Sequence, residues 1–482
     1  MKRFCIASIV ALIAASLAIS SPATAQELPP EDTPISSANV SLLTTLGVTN
    51  PIGARFDGDV MYVTSTTGLF TFDISEPAAP VALGRLALPH FENEDVDFGN
   101  GILLISNDAA ESTGILYVID ITDPAAPAIL STFSMGGDPA SGGPGHTASC
   151  IKNCQFAWVS DAAGVKVIDL RDPAAPVDLG TFETVAGGDI AVHDVQVDGN
   201  GLAWVVGFGG AVAYKLGAGY DGTSLGTEVA RTNEEGFSTY IETLGLGDGS
   251  APNDYILHNS HREKNSDVVF VTEEDYTRPG CAGAGAFESW SLPTKTVRVN
   301  GKQAVQPTGG DLTPLDQWVT ESLDDPASWN QAPPASAMCS AHYFHMSNNL
   351  VVQGWYEQGM RVLDVSNPSN IRQIGYFILP TSMAWAAYFA PTDPTQQVIY
   401  QLDYTSGVHV LQLDRPAKGK RSTVPCGQVL RADRQRCELK HRPPRVVAPV
   451  LDAWTTEFPG LPPMQAGAND TWGYACRLST AT

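Results

Sequence analysis

The stretch "LYVIDITDPAAPAILSTFSM" (116–135) reads as an alternating strand ending in Asp120, a turn bounded by Pro124 and Pro127, and a second strand. Three more stretches repeat it: "LFTFDISEPAAPVALGRLAL" (69–88), "VKVIDLRDPAAPVDLGTFET" (165–184) and "MRVLDVSNPSNIRQIGYFIL" (360–379). The turn has a physical logic. The carboxylates of Asp73, Asp120, Asp169 and Asp364 can accept backbone N–H bonds within it, and proline then fixes φ. Upstream of each copy lies a second hairpin, such as "EDVDFGNGILLISND" (94–108) or "HDVQVDGNGLAWVVG" (193–207). Each unit therefore holds four strands, and the first three aspartates are 47 and 49 residues apart. Four antiparallel strands at this period make one blade of a β-propeller.

Innermost strands start near Gly53, Glu94, His146, His193, His258, His342 and Trp385, which predicts an all-β, seven-bladed propeller. "VSLLTTLGVT" (40–49) is an outer strand with no preceding partner, and "GVHVLQLD" (407–414) is a third strand lacking its fourth. One is expected to complete the other, closing the ring and removing its open sheet edges. In the fourth unit "AVAYKLGAGYDG" (211–222) loses the Asp-Pro turn, as does "AFESWSLPTKTVRV" (286–299) in the fifth. Both are expected to remain blades with altered turns.

The repeats "LYVIDITDPAAP" and "VKVIDLRDPAAP" resemble those of the LVIVD-repeat family of exported bacterial proteins, over about residues 40–415. The resemblance implies a propeller and specifies no activity.

Aligning the hairpins places His146, His193, His258 and His342 at one repeat position, with Glu94 there too. The innermost strand lines the channel, so this position becomes a ring of side chains around one axis. The second strand runs back to the same face. It brings Asn107, Asp108, Asp161, Glu273, Glu274, Trp355, Glu357, Asp403 and Tyr404 toward the ring. Two readings are open. Converging neutral imidazoles can hold a transition metal, Cu, Fe or Zn, with Glu94 as a further ligand. Alternatively, each histidine hydrogen-bonds a neighbouring blade and holds nothing. His261 and His345 are expected to point away or lie deeper, and His409 and His441 to be surface residues.

The remaining sequence sets the context. "MKRFCIASIVALIAASLAISSPATA" (1–25) has a basic start, an apolar run and an A-x-A site, the pattern of a secretory signal peptide. No second run is long enough to span a bilayer. Export, to the periplasm or beyond, is expected, in a compartment where cysteines pair. Cys150–Cys154 and Cys281–Cys339 are the expected bridges, the second pinning loops on the histidine face, and Cys426–Cys437 is the simplest pair in the tail. Residues 26–39 read as a linker, 40–415 as the propeller and 416–482 as a basic, proline-punctuated extension. A net charge of −24 argues against nucleic-acid partners, which need clustered Lys and Arg. The chain lacks P-loop and H-E-x-x-H patterns.

Three functions fit these residues. One is a metal-dependent, oxidoreductase-type enzyme with Glu274, Glu357 or Tyr404 as acid/base candidates and Trp355 and Tyr404 as pocket walls. A second is a binding or surface-interaction propeller with a protein partner. The third is a polysaccharide lyase using His and Tyr. A small-molecule or glycan ligand would sit on the propeller face.

Overall fold

The computed structural model describes residues 34–88, 96–107, 114–136, 145–161, 164–188, 191–217, 220–232, 256–274, 285–299, 301–320 and 338–415. Within them lie seven antiparallel blades, the architecture expected from the repeat. Blade 1 is Pro51–Asp57, Val60–Ser65, Gly68–Asp73 and Val81–Ala87. Blade 2 starts at Val96–Gly99, blade 3 at Ala148–Ile151, blade 4 at Val192–Val197, blade 5 at Ile256–His261 and blade 6 at Phe344–Ser347. Blade 7 joins Ala384–Phe389, Val398–Asp403 and Gly407–Leu413 to the N-terminal strand Val40–Leu46. The ring is thus closed by its first strand, with Val40 opposite Leu413 and Leu46 opposite Val408.

Each blade buries both faces against its neighbours, so the core is divided into clusters between blades rather than pooled at a centre. Leu104, Leu116 and Val118 of blade 2 meet Ala157, Val159 and Ile168 of blade 3. Trp204 and Val206 of blade 4 meet Val269, Val271 and Trp290 of blade 5. This explains why middle strands such as "ILLISN" (102–107) are buried throughout, while outer strands such as Val177–Glu183 are largely exposed. Alternation marks inside and outside only where one face meets water.

The Asp-Pro turns do two jobs. Asp73, Asp120, Asp169 and Asp364 each accept the backbone N–H two residues on, from Ser75, Thr122, Arg171 and Ser366, at 2.8 to 3.0 Å. That bond holds Asp73 below the usual carboxylate range, and Asp120 is held there by the Thr122 hydroxyl first and its backbone bond second. The proline carbonyl then latches to the preceding blade. Thr71 donates to Pro124 O and Ser131 to Pro173 O, each at 2.6 Å, and Ser289 donates to Pro368 O at 2.6 Å.

Three features differ from the sequence reading. In blade 5, Thr294–Val299 is not the outer strand: it pairs with Lys302–Pro307 as an inserted hairpin, and Thr313–Trp318 forms the fourth strand. Within the expected linker, Ile35–Ser36 adds a short strand to the outer edge of blade 6. His409 is fully buried, against the expectation of a surface residue. Val40–Leu46 covers its strand, and its ring is held between Thr45 Oγ1 and Ser406 Oγ, both at 2.9 Å. The expected Cys150–Cys154 bridge is present. Cys339 is disulfide-bonded, and Cys281 lies outside the described residues. The signal peptide, the residues 416–482, His441 and the tail cysteines lie outside them too. No helix of the described residues is long and apolar enough to cross a membrane.

Candidate metal centre

The ring position coincides with a β-bulge. In blade 4, Val192 pairs with Gly207 and Asp194 with Val206, leaving His193 as the extra residue. In blade 5, Leu257 pairs with Glu273 and Asn259 with Thr272, leaving His258. Blade 7 treats Trp385 in the same way. In blade 6, His342 N donates to Gly354 O and Gly354 N to Tyr343 O, so two residues face one. A bulge re-aims the side chain it carries. Here it turns one residue per blade toward its counterparts around the axis.

All four histidines meet. Ring centroids lie 4.5 Å apart for His146 and His193, 4.0 Å for His193 and His258, and 4.0 Å for His258 and His342. His146 is 2% exposed and the other three 0%, so water does not screen the site. Trp385 continues the row, 5.1 Å from His342.

The hydrogen bonds fix which nitrogen of each ring faces the next blade. His193 Nδ1 lies 2.9 Å from His258 O, and His342 Nδ1 lies 2.7 Å from Trp385 O. A carbonyl only accepts, so each Nδ1 carries the proton and donates to the next blade. In the neutral ring, Nε2 then holds a lone pair. The second nitrogens converge. His146 Nε2 is 2.9 Å from His193 Nε2, and with His193 accepting there, His146 donates. His258 Nε2 is 3.9 Å from Glu274 Oε2, and His342 Nε2 is 3.8 Å from Glu274 Oε1. Donor atoms of His193, His258 and Glu274 lie within 4.8 Å of one another, a grouping able to hold a metal ion.

Glu274 ends the second strand of blade 5, 1% exposed, and the sequence had offered it as an acid/base group. Its place among the imidazoles makes it a candidate ligand instead. Glu94 and Asp108 lie outside the described residues. Other carboxylates on this face turn elsewhere. Asp403 accepts Ser382 Oγ at 2.6 Å and Met383 N at 3.0 Å, and Asp161 accepts Thr181 Oγ1 at 2.9 Å. Glu273 pairs with the buried Glu288, which burial and the Glu273 charge push well above the usual range. Glu357 accepts Met338 N at 3.1 Å, and burial pushes its carboxyl up to about 7.

Trp355, expected as a pocket wall, packs in the core between blades 5 and 6, with its ring 4.9 Å from Trp318. Tyr404 stands 5.1 Å from Trp385 in an apolar group with Ile52, Tyr356, Met383 and Met338. His345 accepts the Phe389 N–H at 3.1 Å, and desolvation holds it neutral, at about 4. His261 packs on Phe344, away from the ring. One residue beyond the histidines, Asn259 Nδ2 donates to Asp194 Oδ2 at 2.8 Å, tying blade 5 to blade 4. Burial raises the Asp194 carboxyl against the pull of His193 and that amide.

Sequence reasoning missed Tyr356. Its phenol donates to Glu274 Oε1, and its ring lies 5.0 Å from His342. The turn that carries it, "WYEQG" (355–359), has no local mark of this role beyond the glycine that closes it.

A model of the LVIVD repeat matches residues 56–87 and 354–377, which contain the Asp73 and Asp364 turns. The chain carries LVIVD repeats. No curated protein matches the chain significantly. Similar solved structures include the β-propeller domain of Cps50 (Swd1) from Myceliophteria thermophila, at 10% identity and a TM-score of 0.49, covering 78% of this chain and 100% of that one. Another is the periplasmic gluconolactonase PpgL of Pseudomonas aeruginosa, at 9% identity and a TM-score of 0.48, covering 70% of this LVIVD-repeat chain and 88% of that one.

Proposed function

We propose that this protein is an exported, metal-dependent propeller enzyme of the oxidoreductase type. In this reading a transition metal ion is held by His193, His258 and Glu274, with His146 and His342 beside them. One observation carries it: donor atoms of His193, His258 and Glu274 lie within 4.8 Å of one another among buried side chains, and Nδ1 of His193, committed to the next blade's carbonyl, turns its Nε2 toward them. Metal-binding histidines are oriented by this same kind of bond. Imidazole suits Zn, Cu, Fe and Ni, and two histidines with one carboxylate are the donor set of non-haem Fe(II) sites. When bound, such an ion activates oxygen or polarises a substrate. Glu357, with a carboxyl near 7, is suited to move a proton at neutral pH. Tyr404 and Trp385 would flank a small-molecule or glycan substrate at the mouth. Export rests on the leader at 1–25 and on the disulfide, and the division at 40–415 follows the repeats.

The test is elemental analysis of the mature chain, purified with its disulfides intact and reconstituted with Fe, Cu or Zn. About one metal per chain is expected in the parent. It should be lost in the His193→Ala/His258→Ala variant. Full metal content in that double variant overturns the site.

A further inference from the structure

Tyr356 occupies a backbone conformation that an aromatic residue rarely takes, with φ of +40°. Such a residue persists only where its surroundings over-determine it, and clusters of them mark functional sites. The surroundings here are explicit. Tyr356 N donates to Ala384 O at 3.0 Å, and Ala384 N returns a bond to Tyr356 O at 2.9 Å. Trp355 N donates to Gly359 O at 2.9 Å, Gly359 N to Tyr356 O at 3.0 Å, and Glu357 N to Met338 O at 3.2 Å. The ring is wedged between His342 and Trp385, at 5.0 and 5.4 Å. The disfavoured turn is thus pinned from both sides, and what it delivers is a phenolic O–H to Oε1 of a carboxylate that is 1% exposed.

That bond divides the two oxygens of Glu274. Oε1 receives the phenol, and Oε2 is the oxygen that faces His258. A carboxylate with both oxygens free can close on a metal with two bonds and fill a position that substrate would need. We propose that Tyr356 is a positioning residue that keeps Glu274 a one-oxygen ligand through Oε2, so that the centre retains an open coordination position. The inference rests on the metal-site reading above. It adds that the number of ligand atoms is set by a phenol outside the donor set.

Tyr356→Phe tests it, because the substitution removes one oxygen and keeps the ring between His342 and Trp385. The probe is Co(II) alone, titrated into the metal-free full chain and followed by its visible d–d absorption. The parent should bind with the intense band of a low coordination number. Tyr356→Phe should bind about 10–100-fold more weakly, the usual cost of losing such a partner. At saturation its band should be weaker, as Glu274 supplies a second oxygen. An unaltered thermal midpoint shows that the fold is kept, and loss of packing alone would not change the band at saturation. Equal affinity and an identical band in parent and variant overturn this inference and leave the metal site standing. A parent that takes up no Co(II) overturns both.

Discussion

Glu357 gives the sharpest check on the electrostatics of the candidate face. Its side chain is half-buried, and burial pushes its carboxyl from an ordinary 4.5 up to about 7, against the pull of the Met338 N–H. The folded pKa lies above the unfolded one, so folding disfavours the charged form. The cost is absent below about pH 4.5, grows as pH rises toward 7, and is constant above. At ~1.4 kcal/mol per pH unit the interval corresponds to about 3 kcal/mol. Solvent reaching the half-buried group cuts the expected effect to about 1–2 kcal/mol. Glu357→Gln keeps the shape and an oxygen for the Met338 N–H and cannot ionise. Urea unfolding of parent and variant at pH 4.5, 6 and 8 should show the variant gaining that 1–2 kcal/mol on the parent between the first and last. Carboxyls shifted down, such as Asp73 and Asp120, act in the opposite sense but are common to both proteins and cancel. Parallel curves for the two proteins would refute the argument.

Closure of the ring should depend on the Thr45 hydroxyl, which bonds the fully buried His409. Thr45→Val should cost about 1–3 kcal/mol, as an unsatisfied buried partner does, and Thr45→Ser should restore much of it; equal thermal midpoints for all three would remove the clasp. Between blades 4 and 5, Arg262 and Asp198 form a buried ion pair at 2.5 Å, with side chains 0% and 3% exposed. Arg262→Ala should cost about 3 kcal/mol by leaving the Asp198 charge buried without its counter-charge, while Asn200 N, Leu202 N and Trp204 Nε1 still donate to it; a denaturant melt at pH 7 would register or disprove that loss.

The fold was legible because its repeat is local. An aspartate, a proline turn and two hairpins recur within about one blade's length, and each turn caps itself with its own carboxylate. The register of the four histidines was legible for the same reason, since one bulge recurs at one place in the hairpin. What failed was long-range. The β-branched run at 294–299 looks like a blade strand by composition, but its pairing with Lys302–Pro307 is set by which partner is near, not by its own pattern. His409 was misread because the N-terminal strand, more than 360 positions away, covers it. The hydrogen bond from Tyr356 to Glu274 joins two blades through a left-handed turn, and no spacing in the sequence encodes it.

The two readings that the sequence left open for the histidines are not exclusive, because an imidazole has two nitrogens. Nδ1 of His193 and His342 serves the ring of blades by bonding the next bulge, a task that Ser106 and Thr147 perform with hydroxyls at His146 O and His193 O. A hydroxyl suffices for that bond, so the bond alone does not call for histidine. Histidine adds a second nitrogen on the far side of the ring, and here those nitrogens meet one another and one buried carboxylate. Placing such groups together out of water costs free energy unless something binds them or they bind each other. The blade-to-blade bonds hold the rings in place before any ligand arrives, so a bound ion need not order them. The same coupling means that His193→Ala removes a structural donor along with the lone pair. A loss of metal in that variant must therefore be read beside its thermal midpoint, and only loss of metal with the fold intact separates the two jobs of the ring.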